Sequence, residues 1–247
     1  MEQLIVLLTT FVAALLSAMS GGGTGIIVFP VFLSIGLPYP MVSATQAMMS
    51  AFWVIPASRN YLKGRTVDWT FIILFSLIGL VGAYIGVQFV TNVDQRILEI
   101  IAGTLIVFLV AYTYFKKELG LTEHRTYSKA RQALAYPFGL LSGFYEIIFG
   151  AGNGIAVTLL TLYTKGFDFI DGLGHYYAIS FSWTVFAVFL FMQKGYFDLS
   201  IMAPAVVGSV AGAYIGSKYA RDKGNKFIKL LFVVVGGILG LKLLLGL

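Results

Sequence analysis

The sequence predicts an all-α polytopic membrane protein made of two inverted repeats of about five apolar segments each, with a broken or re-entrant helix in each half. Three observations predict it. The chain is 58% hydrophobic and only 11% charged, with a mean hydropathy of +0.87, far outside the range of soluble globular domains. The glycine cluster GGGTG at Gly21–Gly25 returns 129 residues later as GAGNG at Gly150–Gly154, both times inside strongly apolar sequence. Loop charge, finally, reverses between the two halves, which inverts one half relative to the other.

The duplication extends beyond the glycines. At an offset of 130, Trp53 matches Trp183, Asp68 matches Asp198, and VGAYIG at Val81–Gly86 matches AGAYIG at Ala211–Gly216. Glycine and alanine coincide easily in membrane helices, but tryptophan, tyrosine and aspartate agreeing in the same order mark two homologous halves. The expected division is a first repeat at 1–115, a cytoplasmic connector at 116–130 and a second repeat at 131–247.

The apolar segments run at about 2–20, 25–37, 41–60, 68–90 and 95–115, then at about 131–149, 154–165, 171–192, 198–220 and 226–247. The first, from Leu4 to Leu16 with small residues at Ser17, Ala18 and Ser20, has the outline of a secretory signal. Its only preceding charge is Glu2, and its glycines have a partner in the second half, so it reads as an uncleaved segment. The second segments, of about a dozen residues and ended by Pro38 and Pro40 or by Lys165 and Gly166, are too short to span and read as half-helices leaving a break. The third, fourth and fifth of each half, at about 1.5 Å per residue, reach across a hydrocarbon layer of about 30 Å. The first segments fit either short spans or one arm of a re-entrant hairpin.

Arg59, Lys63 and Arg65 make the loop after segment three basic, whereas its counterpart has Lys194 beside Asp198; the next loop reverses the contrast, with no cation in 91–95 against Arg221, Lys223 and Lys226 in 221–226. The positive-inside rule then places 59–67, 116–131 and 221–226 inside, 91–95 and 193–197 outside, and both termini outside. The net charge of +6 lies in these short loops and requires no nucleic-acid partner. No cysteine is present, which excludes disulfides and thiolate chemistry, and two histidines, His124 and His175, make no metal cluster. GxSxG and Walker patterns are absent and the GxG of the first cluster lacks a preceding strand, so neither an enzyme nor a bound cofactor is expected.

Inverted repeats with broken helices place a site at the repeat interface near mid-membrane. Glycine permits the sharp reversal and leaves backbone N–H groups bare at the start of the following helix. Two such starts, at Thr24–Ile26 and Asn153–Ile155, direct positive dipole ends toward one cavity, and the expected ligand is a small anion. The binding candidates are therefore Gly22, Gly23, Thr24 and Gly25 with Gly152, Asn153 and Gly154, plus Gln46 as a neutral donor. Gln46 and Ser50 are matched in the repeat by Tyr176 and Ser180. Glu146, four residues before Gly150 where the first half has Ser17, is an ionisable group deep in an apolar segment; it is the candidate for proton coupling, with a structural hydrogen bond as the equal alternative. His175 stands where the first half has Thr45, and a lone histidine there is more often a satisfied polar residue than a ligand. Arg59 reads first as a topology anchor. Gly82 and Gly86, and Gly208, Gly212 and Gly216, have the spacing of close helix crossings, within the protein or at a homodimer seam.

Several motifs resemble the TauE/SafE family of sulfite exporters: the early GGGxG followed by a proline, GFYEIIFGAGNG at Gly143–Gly154, and Asp68 and Asp198 after short loops. The resemblance covers nearly the whole chain. It is nearest to a bacterial branch with GFYD before FFGPGTG, from which this sequence departs at Glu146, Ala151 and Asn153. His175 and the Ala44-Thr45-Gln46 element are similar to that branch as well, which adds His175 to the binding set. The resemblance implies movement of sulfite, sulfonates or related small anions across the plasma membrane. The expected function is a secondary oxyanion transporter coupled to protons through Glu146, with a passive anion channel or a non-transporting membrane subunit as the alternatives.

Overall fold

The computed structural model describes residues 2–90, 95–116, 118–121, 127–148 and 150–246. His124 and most of the 91–95 loop lie outside these residues. The first half comprises α1 (Glu2–Ser20), α2 (Gly25–Ser34), α3 (Tyr39–Leu62), α4 (Trp69–Phe89) and α5 (Gln95–Phe115). After the connector come α6 (Lys129–Ala133), α7 (Phe138–Ile148), α8 (Asn153–Thr164), α9 (Phe169–Gln193), α10 (Leu199–Lys223) and α11 (Asn225–Leu245). No strand occurs among the described residues. Helices α1, α4, α9 and α10 are long and apolar enough to cross a membrane. Helices α3, α5 and α11, with 24, 21 and 21 residues, have the length to do so.

Local chemistry explains the ends. The matched aspartates are matched helix caps: Asp68 accepts from the Phe71 N–H at 2.9 Å before α4, and Asp198 accepts from the Ser200 N–H at 2.9 Å before α10. Pro38 and Pro40 open α3, where an absent N–H costs nothing. The predicted segment 131–149 is two helices rather than one. Pro137 has no N–H to offer the Ala133 carbonyl, and the chain tightens into i→i+3 bonds from Leu134 to Gly139 before α7 begins.

Helix directions display the inversion. α3 and α9 cross antiparallel at the centre, with Trp53 on Tyr177 and Ser58 donating to the Gly174 carbonyl. α5 and α11 are also antiparallel, since Val107 approaches Gly240 while Arg96 bonds the Leu244 carbonyl. Each first helix packs along the fourth helix of the other half. Gly208, Gly212 and Gly216 of α10 lie on the α1 backbone at Leu7, Phe11 and Leu15, and Gly82 and Gly86 of α4 lie on the α7 backbone at Leu140 and Phe144. These glycine faces are therefore spent inside the protein, as close helix crossings, and supply no argument for a dimer. Because each half supplies a helix to the other, the two repeats interlock.

α7 and α8 form a hairpin that opens at one end only. Arg131 bonds the Tyr163 carbonyl at 2.8 Å and Lys165 bonds Gln132 at 2.9 Å, so the chain enters α7 and leaves α8 side by side. α1 and α2 make the corresponding hairpin from the opposite end. The loops 59–67, 165–168 and 221–226 gather at one end of the molecule, where Arg221 bonds the Lys63 carbonyl and Asn225 and Arg65 both reach Asp168. That end is the basic end of the molecule.

Candidate functional site

The two hairpins meet tip to tip. Each tip reverses through two glycines in the left-handed region, Gly21 (φ +73°) and Gly23 (φ +79°) in one, Gly150 (φ +64°) and Gly152 (φ +76°) in the other. Other residues adopt that conformation at a cost, which is why the clusters are glycine at those matched positions. The tips are clasped by backbone hydrogen bonds from Gly152 N–H to Gly22 O (2.8 Å) and from Ile155 N–H to Gly21 O (3.1 Å). A Cβ on Gly23 would overlap the Gly150 carbonyl and stand 2.7 Å from the Ala151 Cα, so side chains are excluded from the junction.

The clasp consumes some of the helix-start donors and leaves others. Among the described residues, the N–H groups of Gly23, Thr24, Gly25 and Ile26 at the start of α2, and of Asn153 and Gly154 at the start of α8, meet no acceptor. The Thr24 hydroxyl does not cap α2. Beside the junction lies a cavity of about 10 Å³, lined by Gly21, Gly23, Thr24, Gln46, Ser50, Trp53, Glu146, Gly150, Tyr176 and Tyr177. It draws on both hairpins and on the middles of α3 and α9, and it has room for about one water molecule.

Glu146 supplies the carboxyl group of this cavity. Its Oε2 accepts from Asn153 Nδ2 (2.6 Å) and the Tyr176 hydroxyl (2.6 Å), and its Oε1 accepts from the Ser180 hydroxyl (3.0 Å). Three donors converging on one carboxyl suit the ionised form, which only accepts; the protonated form has to turn one of these contacts around. Asn153 also bonds the Ser142 carbonyl at 3.1 Å. Glu146 is thereby held at the start of α8, where a helix N-terminus favours negative charge.

Aromatic side chains stand on both sides of the cavity, in whose lining Gly23 and Glu146 are only partly buried. Toward the basic end, Tyr177 packs at 5.1 Å on Trp53 and 6.1 Å on Tyr61, its hydroxyl donating to Ser17 O at 2.7 Å, while the Tyr61 hydroxyl donates to Ala18 O at 2.7 Å. Toward the other end, the Tyr39 hydroxyl bonds Ile148 O (2.8 Å) and the Tyr145 hydroxyl bonds Ala151 O (2.6 Å). On the far side of Tyr177 an open groove of about 630 Å³ runs between α3, α4 and α9 to the basic end, where Arg59 and Lys63 line it.

Of the residues singled out in the sequence, Gly23, Thr24, Gln46 and Glu146 line the cavity. Gly22 and Gly152 form the clasp, Gly25 and Gly154 carry unbonded helix-start amides, and Asn153 reaches the cavity through Glu146. His175 stands elsewhere. Its Nε2 accepts from the Asp68 N–H at 3.0 Å and its Nδ1 contacts the Asp171 carbonyl at 2.7 Å, so both ring nitrogens are occupied by backbone. It belongs to an ionic cluster at the basic end, in which Lys165 pairs with Asp68 at 2.6 Å and Arg65 pairs with Asp168 and Asp171 at 2.9 Å each. Burial alone raises the Asp68 carboxyl, but Lys165, the Phe71 N–H and His175 together hold it below the usual carboxylate range. Sequence reading missed Trp53 and Tyr177 as cavity walls, although the match of Trp53 with Trp183 was a visible signal.

The sequence model of the family described as Sulfite exporter TauE/SafE matches residues 6–243. The chain is 27% identical over 238 residues to a probable membrane transporter protein of Haemophilus influenzae, covering 94% of this chain and 91% of that one. It is 28% identical over 240 residues to the probable membrane transporter protein ORF9 of Sinorhizobium sp., covering 95% and 89%. It is also 24% identical over 246 residues to the probable membrane transporter protein YfcA of Escherichia coli, covering 97% and 88%. No solved structure matches. A match over almost the whole chain, on an all-helical frame with apolar spans, makes this protein a member of the TauE/SafE sulfite exporter family of membrane transporters.

Proposed function

We propose that this protein is a secondary transporter for small oxyanions of the sulfite and sulfonate class, and that the cavity between the two hairpin tips is its binding site. The observation that carries the reading is the juxtaposition at the repeat interface of unbonded helix-start amides and one carboxyl group. Family membership and the name of the family support the substrate class. In this reading the protein works in the plasma membrane with the basic end cytoplasmic and both termini outside, as the gathering of the cationic loops at one end favours.

Glu146 is the proposed coupling group. Its carboxylate occupies the negative position at the α8 start, so an incoming anion meets like charge beside the α2 amides. Protonation removes that charge, lets the anion settle, and links the entry of one proton to the entry of one anion. Opening toward the basic end requires Tyr177 to leave Ser17, joining the cavity to the groove that Arg59 and Lys63 line. A passive channel uses the same helix starts, but a cavity of only about 10 Å³, with no pore-sized space at the junction, favours a carrier that opens one side at a time. The same reading leaves no role for catalysis.

Purified protein in liposomes tests this. A proton gradient is expected to drive accumulation of sulfite or methanesulfonate above its equilibrium concentration, and Glu146→Gln is expected to abolish that accumulation. Electrogenic anion flux indifferent to the proton gradient would replace the carrier with the channel.

A further inference from the structure

The tryptophans at matched positions of the two halves have different surroundings. Trp183, fully buried in α9, lays its indole on Gly79 of α4 and donates its Nε1–H to the Ser76 carbonyl at 2.9 Å. That seat exists because position 79 has no Cβ, which would overlap the indole ring. In the second half the residue matching Gly79 is Ser209. The carbonyl matching that of Ser76 is Val206 O, which accepts from the Ser209 hydroxyl at 3.1 Å and not from Trp53. Trp53 instead meets Tyr177 edge to face, at 5.1 Å and 68°, and lines the cavity between the hairpin tips. It is 4% exposed, and its Nε1–H has no hydrogen-bond partner.

A buried, unpaired N–H is costly and rare in folded proteins, and one at a ligand cavity calls for a partner. We propose that the Trp53 indole N–H is a direct donor to the transported anion, on the same cavity that the transport reading assigns as the binding site. An indole nitrogen donates and never accepts, so its partner carries acceptor atoms and is not a metal cation, despite the Glu146 carboxylate in the same cavity. The indole is also neutral. It orients an oxyanion and helps desolvate it without a fixed positive charge, which lets the anion leave when the cavity opens. The helix-start amides of α2 and the Trp53 indole then reach the ligand from two elements, and the repeat symmetry is broken at the position where the binding group is needed.

The chain has three tryptophans, Trp53, Trp69 and Trp183, so protein labelled with indole-¹⁵N tryptophan gives three Nε1–H resonances. Replacement of each in turn by phenylalanine assigns them. On titration of the full-length protein with sulfite or methanesulfonate, the Trp53 resonance is expected to move downfield and saturate. Trp53→Phe is expected to weaken binding of the same anions by about tenfold or more, the loss of a hydrogen bond to a charged acceptor. Saturable binding to the wild type with a stationary Trp53 resonance would overturn this assignment and leave the transport reading standing, as would unchanged affinity in Trp53→Phe. Absence of saturable binding of either anion to the wild type would overturn both. The wild-type titration decides the matter even if Trp53→Phe does not fold, because Trp69→Phe and Trp183→Phe assign the Trp53 resonance by elimination.

Discussion

Gly23→Ala tests whether the two hairpin tips touch. The substitution meets two separate costs. Gly23 has φ +79°, and a left-handed backbone costs an ordinary L-residue about 1–2 kcal/mol. Its new Cβ would overlap the Gly150 carbonyl and lie 2.7 Å from the Ala151 Cα, both backbone atoms of the other tip that cannot swing aside. Forcing one carbon into such a packed site costs about 1–3 kcal/mol more. Gly195→Ala isolates the first cost, because Gly195 has φ +81° and nothing within 4 Å of the added carbon. The expected destabilisation is then about 2–5 kcal/mol for Gly23→Ala and about 1–2 kcal/mol for Gly195→Ala. In thermal melts of the purified protein this separates the two midpoints by roughly 2–12 °C, at about 2–4 °C per kcal/mol for a chain of this size. Equal midpoints for the two variants would refute the clasped junction.

Other consequences are equally concrete. Gly212→Ala puts a carbon into the Phe11 carbonyl and within 3.1 Å of the Leu15 N, and is expected to lower stability by about 1–3 kcal/mol; Gly237→Ala, whose nearest neighbour would be Val110 Cγ1 at 3.8 Å, is expected to raise it by about 0.5–1 kcal/mol. Parallel denaturation curves check both signs. The Asp68 carboxyl, held below its ordinary value at the basic end, contributes stability that is complete above about pH 4 and is lost as pH falls through the lowered folded value. Asp68→Asn keeps a capping side chain but not the Lys165 pair, so its melting temperature is expected to fall less steeply than that of wild type in acid. Tyr177→Phe removes the bond to Ser17 O and is expected to speed exchange between the groove and the cavity, seen as faster anion exchange across liposomes at unchanged proton dependence.

Much of the frame was legible because membrane helices write their length in hydropathy and the repeat writes itself twice. The expected segments 2–20, 68–90, 95–115 and 198–220 differ from α1, α4, α5 and α10 by at most three residues at either end. The segment 131–149 failed because an apolar run does not register the missing Pro137 donor that splits α6 from α7. In the cavity, Gly23, Thr24, Gln46 and Glu146 were recoverable from two cues, residues flanking a duplicated break and ionisable groups in apolar surroundings. The environment of His175 was not recoverable: its partner is the backbone N–H of Asp68, 107 residues away, brought close by α4 packing parallel to α9. Trp53 was visible as a repeat match, but its unpaired N–H was not, because only the fold shows that the carbonyl matching that of Ser76 accepts from the Ser209 hydroxyl and not from Trp53.

The central proposal is that the cavity between the hairpin tips binds the anion and opens to each side of the membrane in turn. The chain contains no cysteine, so Ser50→Cys places a single thiol in the cavity wall. In sealed vesicles, a membrane-impermeant anionic thiosulfonate reagent added to one side and then, in a separate preparation, to the other measures access. Labelling from both sides, slowed by methanesulfonate and unaffected by choline, is the expected result. A thiol labelled from one side only, or labelled from both at a rate that methanesulfonate leaves unchanged, would contradict the proposal.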